Sequence, residues 1–172
     1  MSGVTILETE RLRLSTWTET GFDEVYALHA DQAVNTYLFS YGDDWTREKA
    51  EGRVTMWLNE FDTVGLGKHR VSLKSTGEFV GRAGFTPQEG QAPEISYSLA
   101  KPHWGQGYAH EIASALSQWL FRAHAYDHFI GFAHIDNAGS RRILEKIGMT
   151  PTHEGDVEGL PHQFYRKDRP AQ

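Results

Sequence analysis

The chain contains no cysteine. Disulfides, thiolate metal sites and a cysteine nucleophile are therefore excluded, and the redox compartment is left open. No apolar run approaches the roughly 18 residues of a membrane-spanning helix. Met1 to Glu10 lack the basic and apolar regions of a signal peptide, so cytoplasm is the expected compartment and no membrane partner is expected. Basic residues are outnumbered, with 17 Lys and Arg against 23 Asp and Glu, a formal charge of −6. That balance argues against nucleic acid as the main partner. It draws in cationic substrates weakly through the long-range field, and it is also what ordinary solubility asks for. His29, His69, His103, His153 and His162 are scattered, His124 and His128 alone stand at H-x-x-x-H spacing, no H-E-x-x-H motif occurs, and no metal is expected.

The chain does have apolar mass. Of 172 residues, 39% are hydrophobic, with five Trp, nine Phe and seven Tyr. That is enough for one compact domain spanning the whole chain with a core of its own. Repeats, low-complexity tracts and linkers are missing, and strand-like and helix-like stretches alternate, which predicts a mixed α/β fold. Thr5 to Ser15 reads as one strand. Thr20 and Asp23 mark a helix start, followed by Phe22, Val25 and Leu28 near helical spacing. Thr46 is placed to cap a second helix, in which Ala50, Val54, Trp57, Leu58 and Phe61 form an apolar stripe. His69 to Lys74 and Phe79 to Phe85 flank Ser75-Thr76-Gly77 as a hairpin. Glu94 to Leu99 alternates, with Ile95, Tyr97 and Leu99 on one face and Glu94, Ser96 and Ser98 on the other. A helix from Tyr108, a buried strand from Phe129 to Ile135, and a helix from Ala138 to Ile147 capped by Gly148 follow. Two weaker strands, near Thr152 to Gly155 and Gln163 to Lys167, close the chain.

The stretch richest in chemistry runs strand, glycine loop, helix, from Glu94 to Ala125. Gly105 and Gly107 lack side chains, so a ligand can approach their backbone closely. The helix behind them leaves its first N–H groups without intrahelical partners and points its positive dipole end the same way. A phosphate or pyrophosphate suits that place, although a plain turn has the same sequence pattern. His110 stands where a dinucleotide fingerprint would carry its third glycine, and no Gly-Lys-Ser/Thr follows as in a P-loop.

Trp104-Gly105-Gln106-Gly107-Tyr108-Ala109 resembles the acetyl-CoA pyrophosphate loop of the GNAT superfamily of N-acetyltransferases, in the form used by its RimJ/RimL-type branch. Three more segments agree in order and spacing with that branch: Thr9 to Leu14, Glu94 to Leu99, and Asn137 to Met149 with its N-x-x-S-x-R-x-x-E-K-x-G pattern. The resemblance covers nearly the whole chain. It implies a mixed, mostly antiparallel central sheet of about seven strands with helices on both faces. It also implies a splay between the family's fourth and fifth strands, where the pantetheine arm of acetyl-CoA would lie.

By the same resemblance Trp104, Gly105, Gln106, Gly107, Tyr108, Ala109 and His110 form the pyrophosphate loop, binding mainly through backbone N–H. Ser98 and Leu99 pair with the pantetheine arm as an added strand, and a backbone N–H there polarises the thioester carbonyl. Such a donor is typically worth about 2.7–4 kcal/mol in the transition state. Asn137 and Ser140 contact the cofactor from the other side. Arg142 either reaches a phosphate or is a solvated helix-face arginine. The reaction implied is direct attack of an amine on acetyl-CoA. A lysine-like amine is only ~0.04% neutral at pH 7 and an α-amine ~10–15%, so a distal amine needs a base and an α-amine needs little help. Glu94 is the first candidate base and His134 the second; each also reads as a structural side chain. Many family members carry a tyrosine acid on the last helix, but that slot here is Leu144, and Ser140 becomes the candidate acid or a simple cofactor contact. Ser96 stands where the branch often has glycine.

The acceptor side is expected from the first two helices, the loop Thr36 to Trp45 and the segment Asp156 to Gln163. In that loop Tyr37, Phe39, Tyr41 and Trp45 either grip a cation through their ring faces, at ~0.5–2 kcal/mol, or belong to the core. Acceptors consistent with the resemblance are a protein N-terminal α-amine or a small amine, and the enzyme is expected as monomer or homodimer. The missing helix tyrosine keeps open a second class, a catalytically silent acyl-CoA-binding module.

Overall fold

The computed structural model describes residues 3–38, 41 and 44–172. One eight-stranded sheet, in the order β1-β2-β3-β4-β5-β6-β8-β7, forms the centre of the fold. Its strands are β1 (Thr5–Glu8), β2 (Leu12–Ser15), β3 (Gly67–Leu73), β4 (Phe79–Thr86), β5 (Glu94–Leu99), β6 (His128–His134), β7 (Thr150–Val157) and β8 (Leu160–Asp168). Four α-helices accompany them: α1 (Gly21–Ala30), α2 (Arg47–Val64), α3 (Tyr108–Ala123) and α4 (Ala138–Lys146). The sheet is mixed and mostly antiparallel, as the family resemblance implies.

The eighth strand arises because Thr5 to Ser15 is two strands rather than one. Thr9 Oγ1 accepts from the Leu12 N–H at 3.0 Å, and the Thr9 N–H donates to the Leu12 carbonyl at 2.9 Å, which folds β1 back on β2. No glycine, proline or asparagine marks that turn. The carboxylate of Glu111, from the first turn of α3, holds it instead, accepting from Thr9 Oγ1 and from the Arg11 N–H. The last two strands run longer than the alternation suggests. Glu158 and Gly159 join them with φ of 53° and 81°, the two positive values of a type I′ hairpin, whose twist matches the flanking strands.

The helices follow their sequence signals. Thr46 accepts from the Lys49 N–H at 3.2 Å and caps α2, while Ala50, Val54 and Trp57 are buried against Trp17 and Val25. At the end of α4 the Gly148 N–H bonds the Glu145 carbonyl and the Met149 N–H bonds the Leu144 carbonyl, a Schellman ending with Gly148 at φ 90°. The larger core joins Leu12, Leu14, Val71, Phe85, Ile95, Ile112, Leu116, Phe129 and Leu144 between the sheet, α3 and α4. Helices α1 and α2 pack on β4 and β3.

One break in the ladder positions the site. β5 pairs with β4 along its whole length, and β6 with β8 along its own. Between β5 and β6, the only parallel neighbours among the described residues, the register holds at Glu94 and Ile130 alone. Beyond that point the strands diverge, leaving backbone groups on the facing edges unpaired, a template for an extended ligand.

Candidate active site

The divergence opens into a cavity of about 740 Å³. Its walls are the end of β5 (Tyr97, Ser98, Leu99), the loop His103 to Gly107, the first turn of α3 (Tyr108, Ala109, His110) and the start of α4 (Asn137, Ser140, Arg142). The connection after α1, including Thr36, Tyr37 and Leu38, closes the remaining side. The charged or chargeable lining groups are His103, His110, Arg142, Lys146 and three tyrosines; among the described residues no carboxylate lines it. In a chain of net charge −6 that is a local reversal suited to a polyanion.

Gly105 and Gly107 sit at φ 74° and 82°, which a side chain would strain. Gly107 is also the N-cap of α3 and offers no side-chain acceptor, so the first-turn N–H groups are uncapped by side chains. Trp104 anchors the loop by donating Nε1–H to the Leu99 carbonyl at 2.8 Å. Arg11 anchors it from outside. Its Nε and Nη2 meet Glu111 at 2.7 Å, its Nη1 donates to the Gln106 carbonyl at 2.9 Å, and its guanidinium lies 4.5 Å from the Tyr108 ring centre. Gln106 alone of the expected loop residues does not line the cavity. Burial works against the charge on Glu111, but Thr9 and Arg11 outweigh it and hold its carboxyl below the usual range.

On the α4 side, Asn137 Oδ1 accepts the Ser140 N–H at 3.1 Å and caps the helix. Ser140 Oγ lies 3.1 Å from the Tyr97 hydroxyl, which also reaches the Ser140 carbonyl at 3.3 Å. Burial drives the Tyr97 phenol up to about 12, with the Ser140 bond opposing. Arg142 is exposed at the cavity edge, and Leu144 is buried in the core.

The other expected site residues fall elsewhere. Glu94 stands where β5 and β6 are still bonded, outside the cavity lining, with Gln88 Nε2 donating to it at 3.4 Å. Burial raises its pKa, while Lys68 and Arg82 pull the other way. Ser96 Oγ accepts from Arg82 Nη1 at 3.2 Å. The buried Arg82 also donates to His29 Nε2 at 2.9 Å and to the Tyr41 hydroxyl at 3.3 Å. Tyr41 stacks on His29 at 3.6 Å, and Trp45 meets Tyr41 edge-on at 4.9 Å while donating to the Tyr26 carbonyl. Tyr41, Trp45 and Ser96 thus belong to a packed polar layer, whereas Tyr37 lines the cavity and donates to the Asp136 carbonyl at 3.3 Å. Phe39 lies outside the described residues. His134, beside Tyr37, accepts the Asp136 N–H on Nδ1 at 3.1 Å, so its neutral ring carries the proton on Nε2. Among the described residues no cluster of His, Asp and Glu is arranged to hold a metal, and no helix is long and apolar enough to cross a membrane.

Sequence reasoning missed Tyr97, Arg11, Glu111 and Arg82. Alternation already placed Tyr97 on a face with Leu99, but a phenol on that face reads as core until α4 is docked. Arg82 was visible as a lone cation in the apolar run Phe79 to Phe85.

The comparisons with known proteins agree with this geometry. Residues 11–150 match the model of the acetyltransferase (GNAT) domain. The uncharacterised Bacillus subtilis protein YkkB is 33% identical over 158 residues, 87% of each chain. The crystal structure of an acetyltransferase from Agrobacterium tumefaciens superposes with a TM-score of 0.82 at 26% identity, covering 98% of this chain and 96% of that one. RimL, the ribosomal L7/L12 alpha-N-protein acetyltransferase solved with coenzyme A, shares the fold with a TM-score of 0.83 at 17% identity, covering 95% and 97%. With a family model spanning most of its length and a relative this similar, the chain belongs to the GNAT acetyltransferase family.

Proposed function

We propose that the protein transfers the acetyl group of acetyl-CoA to a primary amine, in the manner of the RimJ/RimL-type branch. The observation that carries this reading is the cavity itself. It joins a strand edge without a partner, a glycine loop at the N-terminus of α3 and the start of α4, with no lining carboxylate among the described residues. Those features fit acetyl-CoA part by part. Uncapped N–H groups and two glycines receive the pyrophosphate, through Gly105 to His110. The free edge at Ser98 and Leu99 pairs the pantetheine amides, and Asn137, Ser140 and Arg142 face them across the opening. Bound acetyl-CoA supplies the activated acyl group; the chain's own residues position it and manage protons.

Ser140 holds its hydroxyl in the cavity wall as the proton donor to the leaving sulfur. Glu94 is the first candidate for the base, because burial raises its carboxyl above the usual range, although Lys68 and Arg82 pull the other way. His134 in its present tautomer offers a donor at Nε2 rather than a lone pair, which favours Glu94. The acceptor classes are a protein N-terminal α-amine, the substrate class RimL's description states for that protein, and a small amine.

The test is thiol release from acetyl-CoA against peptides, amino acids, polyamines and aminoglycosides. The protein adds no thiol background, since it has no cysteine. Release dependent on one acceptor class is the expected result and names the substrate. Acetyl-CoA binding without release for any amine would instead favour the silent binding module that Leu144, in place of the family tyrosine, keeps in view.

A further inference from the structure

The pairing of Tyr97 with Ser140 carries a consequence for the leaving thiol. We infer that Tyr97 is a positioning residue for Ser140: its hydroxyl, 3.1 Å from Ser140 Oγ, donates to that oxygen and turns the serine proton toward the sulfur of CoA. The inference rests on the proposed reading of the cavity as the acetyl-CoA site.

Three observations support it. First, the Ser140 hydroxyl has no other partner among the described residues. A serine in the first turn of a helix often donates back to a carbonyl three or four residues earlier. Here those carbonyls, of Asn137 and Asp136, accept from the Arg141 N–H and from the Ala138 N–H and Tyr37 hydroxyl instead. Second, both residues line the cavity, from β5 and α4 respectively. Third, the two can share protons in just two ways. Ser140 can donate to Tyr97, which then donates to the Ser140 carbonyl at 3.3 Å. That closes a small ring and leaves nothing for a ligand. Alternatively Tyr97 donates to Ser140 Oγ, and the serine proton is released to the cavity. A thiolate placed there selects the second arrangement, because a donor aimed at the charged form stabilises it. Burial keeps the phenol protonated across the neutral range, so Tyr97 serves as a standing donor and not as a base. A tyrosine from the strand thereby supports the serine where the helix slot, Leu144, is buried and apolar.

The test reads the thiol and needs no acceptor. CoA is bound to the wild-type protein, to Tyr97→Phe, to Ser140→Ala and to the double variant. The thiolate is followed by ultraviolet difference absorbance against pH, below the range near 10 in which tyrosines ionise. CoA supplies the only thiol, since the chain has none. In the wild type the bound thiol is expected to ionise at lower pH than free CoA. Tyr97→Phe keeps the ring and its packing, and should raise that pKa by about half to one unit, a three- to tenfold loss of thiolate, with CoA affinity changed less than about threefold. Ser140→Ala should raise it at least as far, and adding Tyr97→Phe to Ser140→Ala should change nothing more. A wild-type pKa in Tyr97→Phe, or additive shifts in the double variant, would overturn the inference while leaving the cavity reading intact. Failure of the wild type to bind CoA would overturn both.

Discussion

The two ends of β5 are built to opposite rules. At its C-terminal end Tyr97, Ser98 and Leu99 face an open cavity whose polar groups are mostly backbone N–H, hydroxyl and cation. At its N-terminal end Glu94 and Ser96 adjoin a closed layer in which Arg82, His29, Tyr41 and Ser96 satisfy one another. The first region keeps hydrogen-bond capacity in reserve; the second spends it internally. A free strand edge and an uncapped helix end are tolerable where water or a ligand can reach them. A buried guanidinium is tolerable only when its donors are matched. Burial perturbs protonation at both ends of β5, since Tyr97 is raised at the open end. Burial lowers His29 to about 2, with Arg82 adding to the effect, and lowers His69 to about 4.

Acidification should therefore weaken the fold through His29 in the closed layer and His69 on β3. In both imidazoles the folded-state pKa lies below 6.5, so the unfolded chain binds more protons as pH falls through that value. The contribution of the two imidazoles is complete above about pH 7.5, and each forfeits about 2 kcal/mol by about pH 5. Glu94 works the other way, since its raised pKa makes protonation favour the folded state as pH falls. Urea midpoints measured across that range should drop steeply below pH 6.5. A flat profile would mean that His29 and His69 are hydrated, and the contrast between the two ends of β5 would collapse.

Removing the centre of the layer tests the same contrast without changing pH. Arg82→Met leaves His29 Nε2, Ser96 Oγ and the Tyr41 hydroxyl without their buried donor. The expected cost is about 3 kcal/mol in urea unfolding. CoA affinity, measured well below the unfolding transition, should change less than about threefold, because Arg82 does not line the cavity. A tenfold loss of CoA binding would show that the two ends of β5 act as one unit.

These regions also differ in how well the sequence announces them. The glycine loop and the N-cap at Asn137 are legible because their chemistry is local: positive φ, uncapped N–H groups and a capping side chain all fall within a few neighbouring residues. The splay is not local, since Glu94 and Ile130 meet through two separate ladders, and only the family resemblance could suggest it. The closed layer is harder still. Tyr41 and Trp45 share one aromatic loop with Tyr37, but whether a ring packs on His29 or lines the cavity depends on partners from α1 and β4. Tyr97 was hidden for a similar reason: its hydroxyl partner lies 43 residues away. The turn at Thr9 was missed because its acceptor, Glu111, is 102 residues distant.

That turn leads to the smallest effect expected, and it concerns how a strand end can tune a loop it does not belong to. A trans peptide points its C=O and the next N–H in opposite directions. Arg11 Nη1 holds the Gln106 carbonyl on the outer side, so the Gly107 N–H is presented to the cavity that Gly107 lines. Arg11 also neutralises Glu111, whose first-turn charge would otherwise oppose a phosphate at the same helix end. Arg11 is 43% exposed in its side chain, so its ion pair alone contributes little to stability. Arg11→Ala should accordingly lower stability by less than about 1 kcal/mol. It should weaken CoA binding by about three- to tenfold, as expected when a peptide plane is released and a nearby negative charge uncovered. Calorimetric titration with CoA and with dephospho-CoA would check the origin of the effect. Both retain the pyrophosphate, so the loss should be the same for each; a loss confined to CoA would move the action of Arg11 from the pyrophosphate loop to the 3′-phosphate.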